Sequence, residues 1–184
     1  AKRSGINLMR KEVEAYVKQK GEKQVLSAVQ PSKGKTLGES QDARWQMDLA
    51  FGNGSVFLVC VNVFDRFTYA KTIANKEPAS VALALKALLR LAPKMPKLIS
   101  SDSGNEFLGS VSRLLTRLKI AQRFKAVGDV NALGVVDRTI QTLKQKMAEL
   151  AGARARRWSV ILDQAVQGMN DTPKPVLHGD APSE

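Results

Sequence analysis

The chain of 184 residues contains one cysteine, Cys60, and one histidine, His178. One cysteine forms no internal disulfide, which fits a reducing compartment. One cysteine and one histidine cannot build a structural zinc site. Cys60 lies inside an apolar run, where a small buried hydrophobe is expected. Long apolar stretches are also missing. None approaches the roughly 18 residues that a membrane helix needs, so no membrane partner is expected. Ala1 to Lys11 is polar and basic, which does not read as a signal peptide. There is no internal repeat.

Acid is scarce relative to base: 17 Asp and Glu against 29 Lys and Arg, a net charge of +12. That balance suits a polyanionic partner. The bases are grouped. Arg113 to Lys125 holds five and no acid, and Lys86 to Lys97 holds four and no acid. Arg154, Arg156 and Arg157 form a third group. With 43% hydrophobic and 25% charged residues, the composition is otherwise that of a soluble globular domain.

The chain is expected to divide at residue 42. Residues 1–42 read as a basic extension, with a short helix over Ile6 to Gln19 and an extended connector from Gly21 to Gln41. Residues 43–184 read as the core. Trp45, Met47, Leu49 and Phe51 alternate with polar or small residues, as in a strand with one buried face. Gly52 to Gly54, "GNG", supplies the positive-φ residues of a tight hairpin. Val56 to Phe64 suits a strand covered on both faces, and Arg66 to Ile73 a third strand in an antiparallel meander. Pro78 opens a helix that Pro93 is expected to end. Lys97 to Ser100 and Ile120 to Phe124 read as short strands flanking a helix over Val111 to Leu118. Two helices follow, from about Val135 to Leu150 and from about Trp158 to Met169. The Pro-rich tail "NDTPKPVLHGDAPSE" is irregular. The order β-β-β-α-β-α-β-α-α predicts a five-stranded mixed sheet flanked by helices, an α/β domain.

Three acids stand out by position. Asp48 sits mid-strand between apolar neighbours, where a carboxylate is costly unless paired or metal-bound. Asp102 lies just past a strand end, where ligand sites of α/β sheets gather. Asp137 lies near the start of a helix whose apolar stripe is Val136, Ile140, Leu143, Met147 and Leu150. It falls about 100° from the stripe's centre. Lys144, two turns on, lies on the same shoulder at about 80°. Each acid also has an ordinary role open to it: Asp48 paired with a base such as Arg66, Asp102 opening a turn or capping a helix, Asp137 complementing the helix dipole.

Taken together the segments resemble the catalytic core of retroviral and retrotransposon integrases, of the ribonuclease H-like superfamily. "RWQMDL" is similar to the first-strand motif, with Asp48 as first acid. "LISSDSGNEF" is similar to the second, with Asp102. "GVVDRTIQTLK" is similar to the third, in which Gly-Val-Val precedes the third acid. The resemblance spans about residues 43 to 184. The third acid is normally Glu, and the interval before it here is one residue shorter than usual. Asp reaches about 1.5 Å less far than Glu, so the helix would have to sit closer. Three Asp at this spacing are similar to the triad of mariner-type transposases. The basic extension resembles the linker after an integrase zinc domain, without that domain's cysteines.

The resemblance implies metal-dependent phosphoryl transfer on DNA. Water cuts a strand near its 3′ end, and the freed 3′-hydroxyl attacks another duplex. Asp48, Asp102 and Asp137 would be catalytic and would hold two Mg2+ or Mn2+ ions, Asp48 bridging both. Lys144 would contact a DNA phosphate and Gln141 would face the DNA terminus. The segment Ala126 to Gly134 corresponds to the family's mobile loop, its glycines serving as hinges or as turn residues. DNA is the expected partner, the chain a homo-oligomer, and its location intracellular, in the nucleus. The competing reading is a domesticated, catalytically silent integrase fold, serving as a structural or nucleic-acid-binding subunit of a larger assembly.

Overall fold

The computed structural model describes residues 38–126, 132–152 and 157–183, all within the unit Gly34–Glu184. The expected helix at Ile6 to Gln19, most of its connector, most of the Ala126 to Gly134 loop, and Arg154 and Arg156 lie outside them.

Strand β1, Arg44–Gly52, turns through Asn53 and Gly54 into β2, Ser55–Asn62. Those two turn residues have φ of 48° and 67°, the left-handed pair of a two-residue hairpin. Gly52 is not a positive-φ residue, contrary to the expectation from "GNG". A Cβ at Gly52 would overlap the ring of Trp158, so this glycine serves close packing rather than the turn. β3, Thr68–Ile73, pairs antiparallel with β2 and completes the meander. Helix α1, Pro78–Leu89, leads to β4, Leu98–Ser101. A short 3-10 turn, Asn105–Phe107, and α2, Ser110–Arg117, lead to β5, Ala121–Phe124. Helices α3, Gly134–Ala151, and α4, Trp158–Asn170, follow, and a second 3-10 turn spans Pro175–Leu177. Helix α1 stops at Leu89, four residues before Pro93, so the proline is not what ends it.

The five strands form one sheet in the order β3-β2-β1-β4-β5. β1 is central, antiparallel to β2 and parallel to β4. Alternation along β1 splits the interior in two. Trp45, Met47 and Leu49 enter a core with α1 and α2, where Trp45 stacks on Tyr69 at 4.6 Å. Ala50 enters a second core with α3 and α4, joined by Phe57, Val59 and Val61 of β2. Gln46 and Asp48, in phase with Ala50, therefore face the α3–α4 layer. Phe51, expected on the buried face, is half exposed because it lies at the hairpin end, beyond the helices' cover. On α3 the stripe is buried at Val136, Leu143 and Met147, while Ile140 and Leu150 are half-buried and Ala151 completes it. The sheet's near end is fixed by Asp42 and Lys97. The Lys97 ammonium lies 2.8 Å from the Asp42 carboxylate and holds its pKa down at about 2. Among the described residues no helix is long and apolar enough to cross a membrane.

Strand β3 is an edge, and Asn170 at the end of α4 closes part of it. Its Oδ1 accepts from the Thr68 N–H at 2.8 Å and its Nδ2 donates to the Thr68 carbonyl at 2.9 Å. Asn170 is 5% exposed, so an alanine there leaves two backbone groups without partners. Asn170→Ala is expected to destabilise the fold by about 2 kcal/mol and to speed amide exchange at Thr68. Urea unfolding within about 0.5 kcal/mol of the parent would contradict this.

Candidate functional site

The parallel ladder of β1 and β4 runs Arg44↔Leu98, Trp45↔Ile99, Gln46↔Ser100, and stops. Continuing that register by two residues sets Asp102 level with Asp48. Beyond Gln46, β1 is paired only with β2, so the sheet opens on the side of Asp48 where β4 has ended. Openings of this kind at strand ends are where α/β sheets form sites. The chain leaves β4 through a turn: Asp102 Oδ1 accepts from the Gly104 N–H at 3.1 Å. The turn role open to Asp102 in the sequence is thus real, and it uses one oxygen. Asp137 lies in the first turn of α3, which packs over the same face of β1 as Asp48.

The three acids are close enough to act on one another. The Asp48 carboxyl is pushed up to about 6. Burial is the largest cause; the Leu49 N–H bonded to its Oδ1 at 2.7 Å opposes it; and the charges of Asp102, Asp137 and Glu106 add to it. Asp137 is exposed by surface area, yet desolvation still raises its pKa. Lys125 opposes that rise and Asp102 adds to it. The charged neighbours that bear on Asp48 are therefore acids, and Arg66, the base open to it from the sequence, acts on Asp65 instead.

Two residues of this neighbourhood escaped the sequence reading. Glu106 is one: it sits in the 3-10 turn after Asp102, with its carboxylate over Gly104, where a Cβ would come 2.6 Å from Oε2. The signal was the acid inside "SGNEF", four residues past Asp102. Lys125 is the other. Its N–H donates to the Ser101 carbonyl at 2.8 Å, which carries the chain alongside β4 to a point where its charge reaches Asp137. Gln141 and Lys144 lie one and two turns after Asp137 on α3, both half-buried.

Carboxylate oxygens are the donors that Mg2+ prefers, so the chemistry of the set fits that ion. The spacing is open. Among the described residues no three His, Cys, Asp or Glu side chains stand close enough to hold one ion. Two carboxylates about 4 Å apart repel by roughly 4 kcal/mol at an effective dielectric of 20, which opposes a closer approach of the acids without a counter-charge.

No protein-family model matches the chain. It is similar to a transposon-derived protein of Caenorhabditis elegans, 29% identical over 116 residues, 62% of this chain and 40% of that protein. It is also similar to the Gag-Pol polyprotein of walleye dermal sarcoma virus, 29% identical over 131 residues, 69% of this chain and 7% of the polyprotein. The chain thus spans less than half the length of either. Among solved structures, the catalytic core domain of BIV integrase superposes with a TM-score of 0.66 at 22% identity, over 77% of this chain and 91% of that one. The fold is ribonuclease H-like, that of an integrase catalytic core.

The raised carboxyl of Asp48 has a consequence for stability. A group whose folded pKa lies above its unfolded value stabilises the fold fully below the unfolded pKa, and that contribution is lost as pH rises through the folded one. In metal-free buffer the parent should lose stability between about pH 4 and pH 6, by at most about 3 kcal/mol from Asp48. Asp48→Asn should be more stable than the parent at pH 7 and no more stable at pH 4, by thermal melts. A variant less stable than the parent at pH 7 would mean that the native carboxylate is paired, not repelled.

Proposed function

We propose that the chain is the core of a DNA integrase or transposase, a polynucleotidyl transferase that cleaves near 3′ ends and joins them to a second duplex. The carrying observation is that Asp48 on the central strand faces the α3–α4 layer where the β1–β4 ladder ends, with Asp102 just past the end of β4 and Asp137 in the first turn of α3. The integrase-like fold and the transposon-derived and Gag-Pol relatives support the same reading.

Asp48, Asp102 and Asp137 would hold a pair of Mg2+ ions, Asp48 serving both and the other two one each. When bound, such ions would supply charge stabilisation for the attacking and leaving oxygens. The residues of the chain supply the rest. The carboxylates come from three elements, so ions held by all three would need the start of α3 close to the β1–β4 opening. Asp137, shorter than the family's Glu, requires that approach to be close. Lys144 would hold a phosphate beside the scissile bond as a point charge, and Gln141 would face the DNA end with an amide that can donate and accept. Arg113, Arg117, Lys119, Arg123 and Lys125, along α2 and β5, would bind the DNA backbone without regard to sequence. Joining two ends calls for more than one copy of the chain.

The test is a nicking and strand-transfer assay on short duplexes with Mg2+ or Mn2+, comparing the parent with Asp102→Asn. The parent should nick and transfer only with metal, and the variant should lose more than about a hundredfold, beyond what outer-shell changes cost. A parent protein indistinguishable from Asp102→Asn would favour the silent scaffold instead.

A further inference from the structure

Gln46 is a polar residue in the middle of the central strand with 0% of its surface exposed. Its amide makes three hydrogen bonds, and each partner lies about ninety residues away. Nε2 donates to the Ala132 carbonyl at 3.0 Å. Oε1 accepts from the N–H groups of Val135, at 3.2 Å, and Val136, at 3.0 Å. Arg44 on the same strand adds a second donor to that carbonyl, Nη2 at 3.1 Å, and its Nε donates to the Ser100 hydroxyl at 3.0 Å.

These partners are the start of α3. A helix leaves its first N–H groups without intrahelical acceptors, and a side chain at the N-cap ordinarily serves the second or third. Here the N-cap is Leu133, which has no such side chain. Gln46 serves both Val135 and Val136 from the sheet. The placement relative to the acids is regular. Gln46 precedes Asp48 by two residues on the same face of β1. Ser100, its ladder partner, precedes Asp102 by two. Val136 adjoins Asp137. One hydrogen-bonded cluster therefore joins the three acid-bearing elements just below the acids.

We infer that Gln46, with Arg44 and Ser100, is a positioning residue: it seats the first turn of α3 on β1 and so sets where Asp137 stands relative to Asp48 and Asp102. The amide suits this role on chemical grounds. A carboxylate could accept from the helix but could not donate to the Ala132 carbonyl, and it would add another negative charge beside the site. An apolar side chain would leave two buried N–H groups without an acceptor. A third acid with a short side chain makes the seating matter more, since Asp137 has less reach with which to absorb a shift of its helix. The seating stands on the hydrogen bonds; its consequence for metal rests on the proposed function.

Gln46→Met keeps the volume and removes all three bonds. Gln46→Asn keeps the groups on a shorter side chain and serves if the first variant does not fold. Met147→Ala, in the core three turns along α3, is the control for general loss of stability. Amide exchange is followed by NMR and Mn2+ binding by calorimetry on the full chain. Either Gln46 variant is expected to speed exchange at Val135 and Val136 at least about tenfold relative to Leu143, and to weaken Mn2+ binding about 10- to 100-fold, the range for groups that orient metal ligands. Met147→Ala should leave Mn2+ affinity within about threefold, since it touches no such group. Unchanged protection at Val135 and Val136 overturns the inference. So does faster exchange with unchanged Mn2+ affinity. A parent that binds Mn2+ no better than Asp48→Asn overturns the proposed function instead, and the seating is then decided by the exchange rates alone.

Discussion

The site depends on where one parallel ladder stops. β1 and β4 pair through Gln46 and Ser100, and from that point β1 continues with β2 alone. Continued by two residues, that register would set Asp102 beside Asp48. What draws the chain away from β4 is local and specific. The Asp102 carboxylate takes the Gly104 N–H, the Ser101 hydroxyl donates to the Asp102 carbonyl at 2.8 Å, and the following 3-10 turn delivers Phe107 to the α1–α2 core with 0% exposure. Burial of a Phe is worth about 1.5–3 kcal/mol, enough to hold such a departure. The opening is thus stabilised by apolar packing on one side of the sheet and used by polar groups on the other.

Those polar groups fall into two tiers. Below the opening, Gln46, Ser100 and Arg44 are buried or half-buried and bonded to one another's elements. At the opening, burial first and the charges of Asp102, Asp137 and Glu106 after it push the Asp48 carboxyl up to about 6. A fold gains nothing in stability from carboxylates gathered in this way, and keeping them costs it some. Strained or repulsive groupings are found where function requires them. The surrounding chain, at +12, is rich in the opposite charge, but the bases stand on α2 and β5 rather than in ion pairs with Asp48. Lys125 reaches toward the acids, at Asp137.

Much of the framework was legible in the sequence because it is written in short periods. Alternation at Trp45, Met47 and Leu49 marked β1, the pair Asn53-Gly54 marked the hairpin, and the spacing of Val136, Leu143 and Met147 marked the buried face of α3. The misreadings came from tertiary context. Phe51 obeys the alternation but lies past the helices that would cover it. Pro93 looked like a helix stop, yet α1 ends earlier at Leu89. The "GNG" pattern predicts a turn role for Gly52, whereas its requirement comes from Trp158, more than a hundred residues away. At the candidate site, Asp48 is conspicuous as a carboxylate in an apolar strand, and Asp102 and Asp137 by their places at a strand end and a helix start. Gln46 is not conspicuous, since a polar residue in alternation reads as solvent-facing until the covering helix is known. The cap on α3 was hidden for the same reason: local rules look for it at Leu133, and it comes from another strand.

Catalysis of the proposed kind requires Asp48, Asp102 and Asp137 to hold divalent ions jointly. A crystal structure of the protein grown with Mn2+, read by anomalous scattering, tests that directly. One or two ions bound by side-chain oxygens of all three, at the roughly 2 Å distances of Mg2+-type sites, is the result the account predicts. Mn2+ found elsewhere, or an Asp137 carboxylate turned to Lys125 and away from the other two, would contradict it and leave a ribonuclease H-like fold without its catalytic centre.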